Sequence, residues 1–205
     1  MRSPKKATHV PLTVDRECST RPDALHSASL AELVADYIAT YRPACLAEEM
    51  WYAGAGSIEQ AIRRAASCEM SGGKRHGHQR RIPRAALAQI TEAILQQPIA
   101  RARDFEDIYC YVRKASREVD GIGDLTCYDI AQRIGVFLRL SPTRAYLHAG
   151  TRDGARALGL DAGAETIAVT QFPAEMQRLS ASEIEDFLCI YKEHLHRHAP
   201  RPGVR

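Results

Sequence analysis

A chain of 205 residues with 28 Lys+Arg against 25 Asp+Glu carries a formal net charge of +3. That length fits one compact domain with tails. The 45% hydrophobic content excludes a disordered or fibrous chain, and no stretch approaches the roughly 18 apolar residues of a membrane span.

Residues 1–26 mix Pro, Lys, Arg and Thr with little periodicity and read as a flexible N-terminal arm. They hold basic residues but no apolar run, so no secretory signal is expected, and the cytoplasm is the expected compartment. From Leu30 the apolar residues Leu33, Val34, Tyr37, Ile38 and Tyr41 recur at helical spacing, predicting a helix over 29–41. Pro43 opens a second helix through Trp51. Ser57 with Gln60 resembles a capping box ahead of an Ile58, Ala61, Ile62, Ala65 stripe. A Gly-rich basic loop occupies 71–82, and Pro83 opens a helix carrying Leu87, Ile90 and Ile94. Asp104 caps the next, which buries Phe105, Ile108, Val112 and Ala115. A short turn at 120–125 leads into a helix from Thr126 to Arg139. Ser141-Pro142 and Thr151 read as two further helix starts. The 160–172 stretch is the least helical and suits a short strand. Ser180 and Glu183 form a capping box for a last helix with Ile184, Phe187, Leu188, Tyr191 and Leu195. The expected class is therefore all-α: a single domain over 27–196, with a flexible tail at 197–205.

The six cysteines (Cys18, Cys45, Cys68, Cys110, Cys127, Cys189) are widely spaced. Reduced, mostly buried thiols are expected, not a zinc or iron–sulfur site. His194, His196 and His198 alternate, so on a helix they cannot converge on one metal ion. No metal is expected. Lys192 lies one helical turn from Cys189.

The most informative segment is Val119-Asp-Gly-Ile-Gly-Asp-Leu-Thr-Cys127. Gly121 and Gly123 can both adopt backbone angles barred to other residues. Turn amides can then point outward at the positive end of the following helix, which makes an anion site. Ile122 plugs between the two helices, and Thr126 caps the second. The segment resembles the helix-hairpin-helix motif, apolar-x-Gly-apolar-Gly-x-x-Thr-Ala, with Cys127 in place of the final Ala. The resemblance implies that the turn grips a DNA phosphate with little sequence preference. It also implies a monovalent cation held by the turn carbonyls, and no other required cofactor. Aromatic residues are few, at 6%, which favours duplex DNA over single strands that stack on aromatic rings.

The element order over 100–175 is also similar to the helix-hairpin-helix DNA glycosylase superfamily. That resemblance implies a catalytic Lys two residues after the second glycine and an Asp in the downstream loop. The chain departs from both: Leu125 stands in the first place, and the 140–151 loop has no Asp. His148 lies near the second place and Asp153 is the nearest carboxylate, so these two are the catalytic candidates.

Lys74, Arg75, Arg80 and Arg81, with Arg84 beyond, concentrate positive charge in a loop without an acid. Such a run favours phosphate contacts that release counterions. Arg152 and Arg156, near Gly150 and Thr151, are candidates for a second phosphate. Three readings follow. The first is a DNA-binding protein of repair, processing or defence that positions a partner protein or nuclease. The second is a glycosylase-like enzyme with a non-standard catalytic residue. The third is a non-catalytic interaction subunit, recognisable by a large apolar surface patch.

Overall fold

Serine and aspartate side chains cap half of the eight α-helices among the described residues. In the computed structural model, which describes residues 27–198, Ser29 and Glu32 close a capping box ahead of α1 (Leu30–Thr40). One residue, Tyr41, separates it from α2 (Arg42–Ala53), with Pro43 in its first turn. Ser57 caps α3 (Ile58–Ala66) through the Gln60 amide. The expected reciprocal bond falls one residue early, because Gln60 Oε1 accepts from the Gly56 amide at 2.5 Å. α4 runs Arg84–Leu95, and α5 runs Phe105–Ser116 behind the Asp104 cap. α6 (Asp124–Leu138) ends on Arg139 in the left-handed region at φ 59°, and the Leu140 amide closes back on Gly135 at 2.9 Å. α7 is Ala149–Ala157, and α8 is Ala181–Leu195 behind the Ser180–Glu183 box.

Ser141-Pro142 does not start a helix. The chain instead extends into β1 (Arg144–Tyr146), which pairs antiparallel with β2 (Thr166–Ala168), with Ala145 opposite Ile167. β2 falls in the stretch expected to hold a strand. The described residues are thus mostly helical, with this one small sheet. The N-terminal arm over 1–26 and residues 199–205 of the tail lie outside the described residues.

The interior divides into two cores. α1, α7 and α8 enclose Leu33, Tyr37, Leu158, Phe187 and Tyr191. α3, α4, α5 and α6 enclose Ile62, Ile90, Phe105, Ile108 and Ile134. β1 joins them, because side chains alternate along a strand. Ala145 and Leu147 enter the first core and Tyr146 the second. Arg42 also ties α2 to the start of α8, with Nε 2.5 Å and Nη2 3.1 Å from the Glu183 carboxylate.

α7 lies close on α8 because two glycines one turn apart face it. A Cβ on Gly154 would sit 2.4 Å from the Leu188 carbonyl oxygen, and one on Gly150 would sit 2.8 Å from Cys189 Sγ. The backbone contact at Gly154 cannot yield by rotating a side chain. Gly154→Ala is therefore expected to lower stability by about 1–3 kcal/mol, read by urea denaturation. Unchanged stability would show that α7 can move off α8 without loss.

Candidate functional site

The turn between α5 and α6 needs only one of its two glycines for backbone reasons. Gly121 has φ 85°, in the left-handed region. Gly123 does not share that need: at φ −89° and ψ 173° it is ordinary extended backbone and serves as the N-cap of α6. Thr126 does not cap α6; it lies buried inside the first turn. No side chain caps this helix, so its first amides remain available to an outside acceptor. Ile122 is half-buried against the second core, as expected of a plug between the helices.

The turn does not stand alone. A Cβ on Gly121 would lie 3.9 Å from Pro83 Cδ, which places the turn beside the end of the basic loop. That loop is well organised. The Met70 amide bonds the Lys74 carbonyl at 2.8 Å, and Gly73 turns the chain at φ 73°. Gly77–Gln79 then forms a single 3-10 turn. Lys74, Arg80, Arg81 and Arg84 are exposed. Arg75 is half-buried and donates Nη1 to the Ile82 carbonyl at 2.7 Å, so it braces the loop.

A cavity of about 380 Å³ opens beside this surface, in the seam between the two cores. The loop contributes Gly77, His78 and Arg81; α6 contributes Leu125, Asp129, Gln132 and Arg133. The opposite wall is built by His148, Gly150 and Thr151 at the start of α7 and by Glu185, Asp186, Cys189 and Ile190 of α8. The size falls within the usual range for small-ligand sites, about 300–1,000 Å³.

A buried polar network shapes the α6 wall. Asp129 Oδ2 accepts from His78 Nε2 at 2.8 Å and from Gln79 Nε2 at 2.7 Å. Gln79 Oε1 in turn accepts from Arg133 Nη1 at 3.1 Å, and Arg133 also reaches the Ala65 carbonyl at 3.4 Å. The Arg133 guanidinium lies 5.7 Å from the centre of the Tyr52 ring. Burial alone pushes the Asp129 carboxyl up, but the His78 hydrogen bond and the Arg133 charge outweigh it, so the group is held below its ordinary value and stays ionised. Across the cavity, burial pushes the His148 imidazole down and keeps it neutral at pH 7, although Asp129 pulls the other way. His148 Nε2 is buried and finds no hydrogen-bond partner among the described residues, and neither does the Tyr128 hydroxyl behind it. The two rings lie 5.0 Å apart.

The structure divides the remaining expected site residues. His148 lines the cavity as the N-cap of α7, its amide bonded to Thr151 Oγ1 at 2.5 Å. Asp153 does not line it; it lies exposed and pairs with Arg156 at 2.7 Å. Arg152 is turned inward, with Nη1 donating to the Ala162 carbonyl at 2.5 Å and the Ala164 carbonyl at 2.9 Å. Arg152 is thus engaged within the fold, while Arg156 stays exposed beside Asp153. His194 is buried on α8, whereas His196 and His198 lie in a closing 3-10 turn. No group of three or more His, Cys, Asp or Glu could hold a metal ion among the described residues.

Sequence reading missed Asp129, Gln132, Arg133, Glu185 and Asp186 as site residues. A signal was present in α6: Leu125, Asp129 and Arg133 recur every fourth residue, which puts two charges on one face of an otherwise apolar helix. Nothing comparable marks Glu185 and Asp186, which only the α7–α8 packing brings to the cavity. Large exposed apolar side chains are limited to Leu46, Met50 and Leu125 among the described residues. No helix among them is long and apolar enough to cross a membrane. No family model matches the chain, and neither does any curated protein or solved structure.

Asp129→Asn keeps the shape of the latch and removes its charge. The expected loss is about 1.5–3 kcal/mol at pH 7, the scale of hydrogen bonds to a charged group. Because the folded pKa is depressed, this contribution is full above the unfolded value of about 3.9 and is lost as pH falls through the folded one. Urea denaturation from pH 7 to pH 3 should therefore show the gap between wild type and variant closing only below about pH 4. A gap that closes near pH 6 would assign the charge elsewhere.

Proposed function

We propose that the protein binds duplex DNA through backbone phosphates, using the 119–123 turn as a helix-hairpin-helix together with the loop before α4. The observation that carries this is a convergence. Two segments separated in sequence, the uncapped start of α6 and the loop bearing Arg80 and Arg81 that leads to Arg84 of α4, meet at Gly121 and Pro83 beside one cavity. Unpaired amides and the positive end of a helix dipole favour an anion, and exposed arginines add sequence-independent attraction. A cation held by the turn carbonyls belongs to the same reading. So does a cytoplasmic location, in keeping with free thiols at the cysteines among the described residues. The limited exposed apolar surface disfavours a purely interaction-based role, although the protein could still present DNA to a partner or nuclease.

The geometry also selects the variant that tests this. Gly121 needs its left-handed angle, but a Cβ on Gly123 meets nothing within 4 Å. Gly123→Val therefore keeps the fold and crowds the outer face of the amides. Wild type should bind a labelled duplex with an affinity that falls steeply with salt, and the folded variant should bind at least about tenfold more weakly, the equivalent of one lost charge-assisted contact. Arg81→Ala should lower the salt slope by about 1. Equal binding by Gly123→Val would make the turn architecture only.

A second reading is favoured by the pairing of an ionised Asp129 with a neutral His148 across the cavity. A neutral imidazole can accept a proton while an ionised carboxylate on the facing wall supplies negative charge. In this reading the cavity holds an extruded nucleotide and water hydrolyses its N-glycosidic bond. The water oxygen bonds to C1′, the C1′–N bond breaks, and its electron pair leaves with the base. His148 Nε2 takes the water proton and returns it to the departing base. The Asp129 charge opposes the positive charge that develops on the sugar. Both His148→Ala and Asp129→Asn should then abolish base release from DNA carrying modified bases, while His148→Ala leaves duplex affinity within about twofold, a difference of roughly 0.4 kcal/mol. Undiminished release by His148→Ala would remove it from the chemistry.

A further inference from the structure

We propose that the cavity is a site for a nucleoside monophosphate unit, its phosphate held at the mouth by Arg81 and its base seated between α6 and α8. This goes beyond the DNA-binding reading, because it rests on the cavity and stands whether or not the turn grips a duplex. The lining groups sort into engaged and open ones. Asp129 Oδ2 is taken by His78 and Gln79. Asp186 Oδ2 accepts from the Tyr37 hydroxyl at 3.2 Å and from Cys45 Sγ at 3.7 Å, and Glu185 also interacts within the fold. Arg133 Nη1 is committed to Gln79 and the Ala65 carbonyl. Three side chains keep open groups. Arg81 is exposed, and its guanidinium makes no hydrogen bond or ion pair among the described residues. The Gln132 side-chain amide makes none among them either. His148 Nε2 is buried without a partner among them.

These positions set the shape of the ligand. The Arg81 guanidinium offers several donors and a fixed charge, which suit a phosphate. The ionised Asp129, with Glu185 and Asp186 on the facing wall, disfavours an anionic group further in. The phosphate therefore stays at the mouth. Leu125, the second residue of α6, lines the same cavity, so the uncapped amides of that helix border the mouth as well. Further in, Leu125 on α6 and Ile190 on α8 give apolar surface on opposite walls, which suits the two faces of a flat ring. His148 Nε2 and the Gln132 amide then call for polar atoms at the edge of that ring. A base edge carries both donors and acceptors, and a Gln amide offers both in return. Phosphate, flat ring and polar edge occur together in a nucleoside monophosphate, either free or as one unit of a DNA strand. A simple aryl phosphate would leave His148 and Gln132 unmatched.

The test is titration calorimetry on the full chain with deoxyadenosine and thymidine 5′-monophosphates, the two nucleosides, phenyl phosphate and inorganic phosphate. Each monophosphate should bind at least about tenfold more tightly than its nucleoside, phenyl phosphate or inorganic phosphate. Arg81→Ala should bring the monophosphates down to the level of the nucleosides and leave the nucleosides unchanged. His148→Asn, which keeps a side chain suited to a helix start, should weaken monophosphates and nucleosides alike. Competition with duplex DNA separates the two sources. Preferential displacement of the monophosphate by a duplex with one unpaired nucleotide, over a fully paired one, assigns the site to a nucleotide of a strand; an equal effect of the two assigns it to the free nucleotide. Equal binding of phenyl phosphate overturns the seating of a base. Absence of monophosphate binding, with salt-dependent duplex binding retained, overturns this inference and leaves the DNA-binding reading standing. Monophosphate binding without duplex binding does the reverse.

Discussion

A buried guanidinium must be surrounded by acceptors, and much of this molecule is arranged around that demand. Arg133 is 6% exposed. Leaving such a charge unpaired inside a protein costs several kcal/mol. The compensation comes from three directions: a carbonyl at the end of α3, the Tyr52 ring of α2, and the Gln79 side chain of the basic loop. Gln79 is fully buried, and its amide nitrogen goes to Asp129, one turn before Arg133. The loop that carries the exposed arginines is therefore held to α6 by the same bonds that satisfy the α6 cation. A looser loop would cost Arg133 its Gln79 acceptor. The electrostatics of the interior thus fix the position of charges on the surface.

The opposite wall of the cavity is set by packing. β1 sends alternate residues into the two cores, so its end cannot slide along the seam without unpacking one of them. The residue after Leu147 is His148, which starts α7. Gly154 then allows α7 to lie against the α8 backbone at Leu188. Together these place His148, Glu185 and Asp186 on one surface although they are distant in the chain. A cavity walled by two separately packed cores is rigid on each side, which suits a site that must hold polar groups at fixed positions before a ligand arrives.

Local chemistry made the helices legible. The Ser29, Ser57, Asp104 and Ser180 caps act within one turn, and the apolar stripes behind them are periodic, so class and element order follow from the sequence. Ser141-Pro142 misled because a proline near a serine fits a helix start and an extended approach to a strand equally well. The pairing of β1 with β2, about twenty residues on, decided between them. Gly123 misled in a similar way. Two glycines flanking one residue suggest shared conformational need, yet of this pair only Gly121 has a positive φ. At the site, sequence could name His148 because it follows a recognisable hairpin. It could not turn Arg152 inward, since that orientation depends on carbonyls ten and twelve residues later.

α6 carries both halves of the proposed site, and this sets their relative scale. Its uncapped start lies at Gly123 and Asp129 follows six residues later, a rise of about 9 Å. The helix is a rigid spacer between an amide group that suits a phosphate and a carboxylate on the cavity wall. A nucleotide joins phosphate and base over a comparable span. In the proposed reading, one helix would span the ligand from phosphate to base, and the two groups on it cannot drift apart while α6 stays intact. The lower turns of α6 are buried on several sides, by α2, α3 and α5, so bending it would disturb the second core. Fixed spacing of this kind lets backbone binding contribute to the placement of a base without any contact that reads sequence.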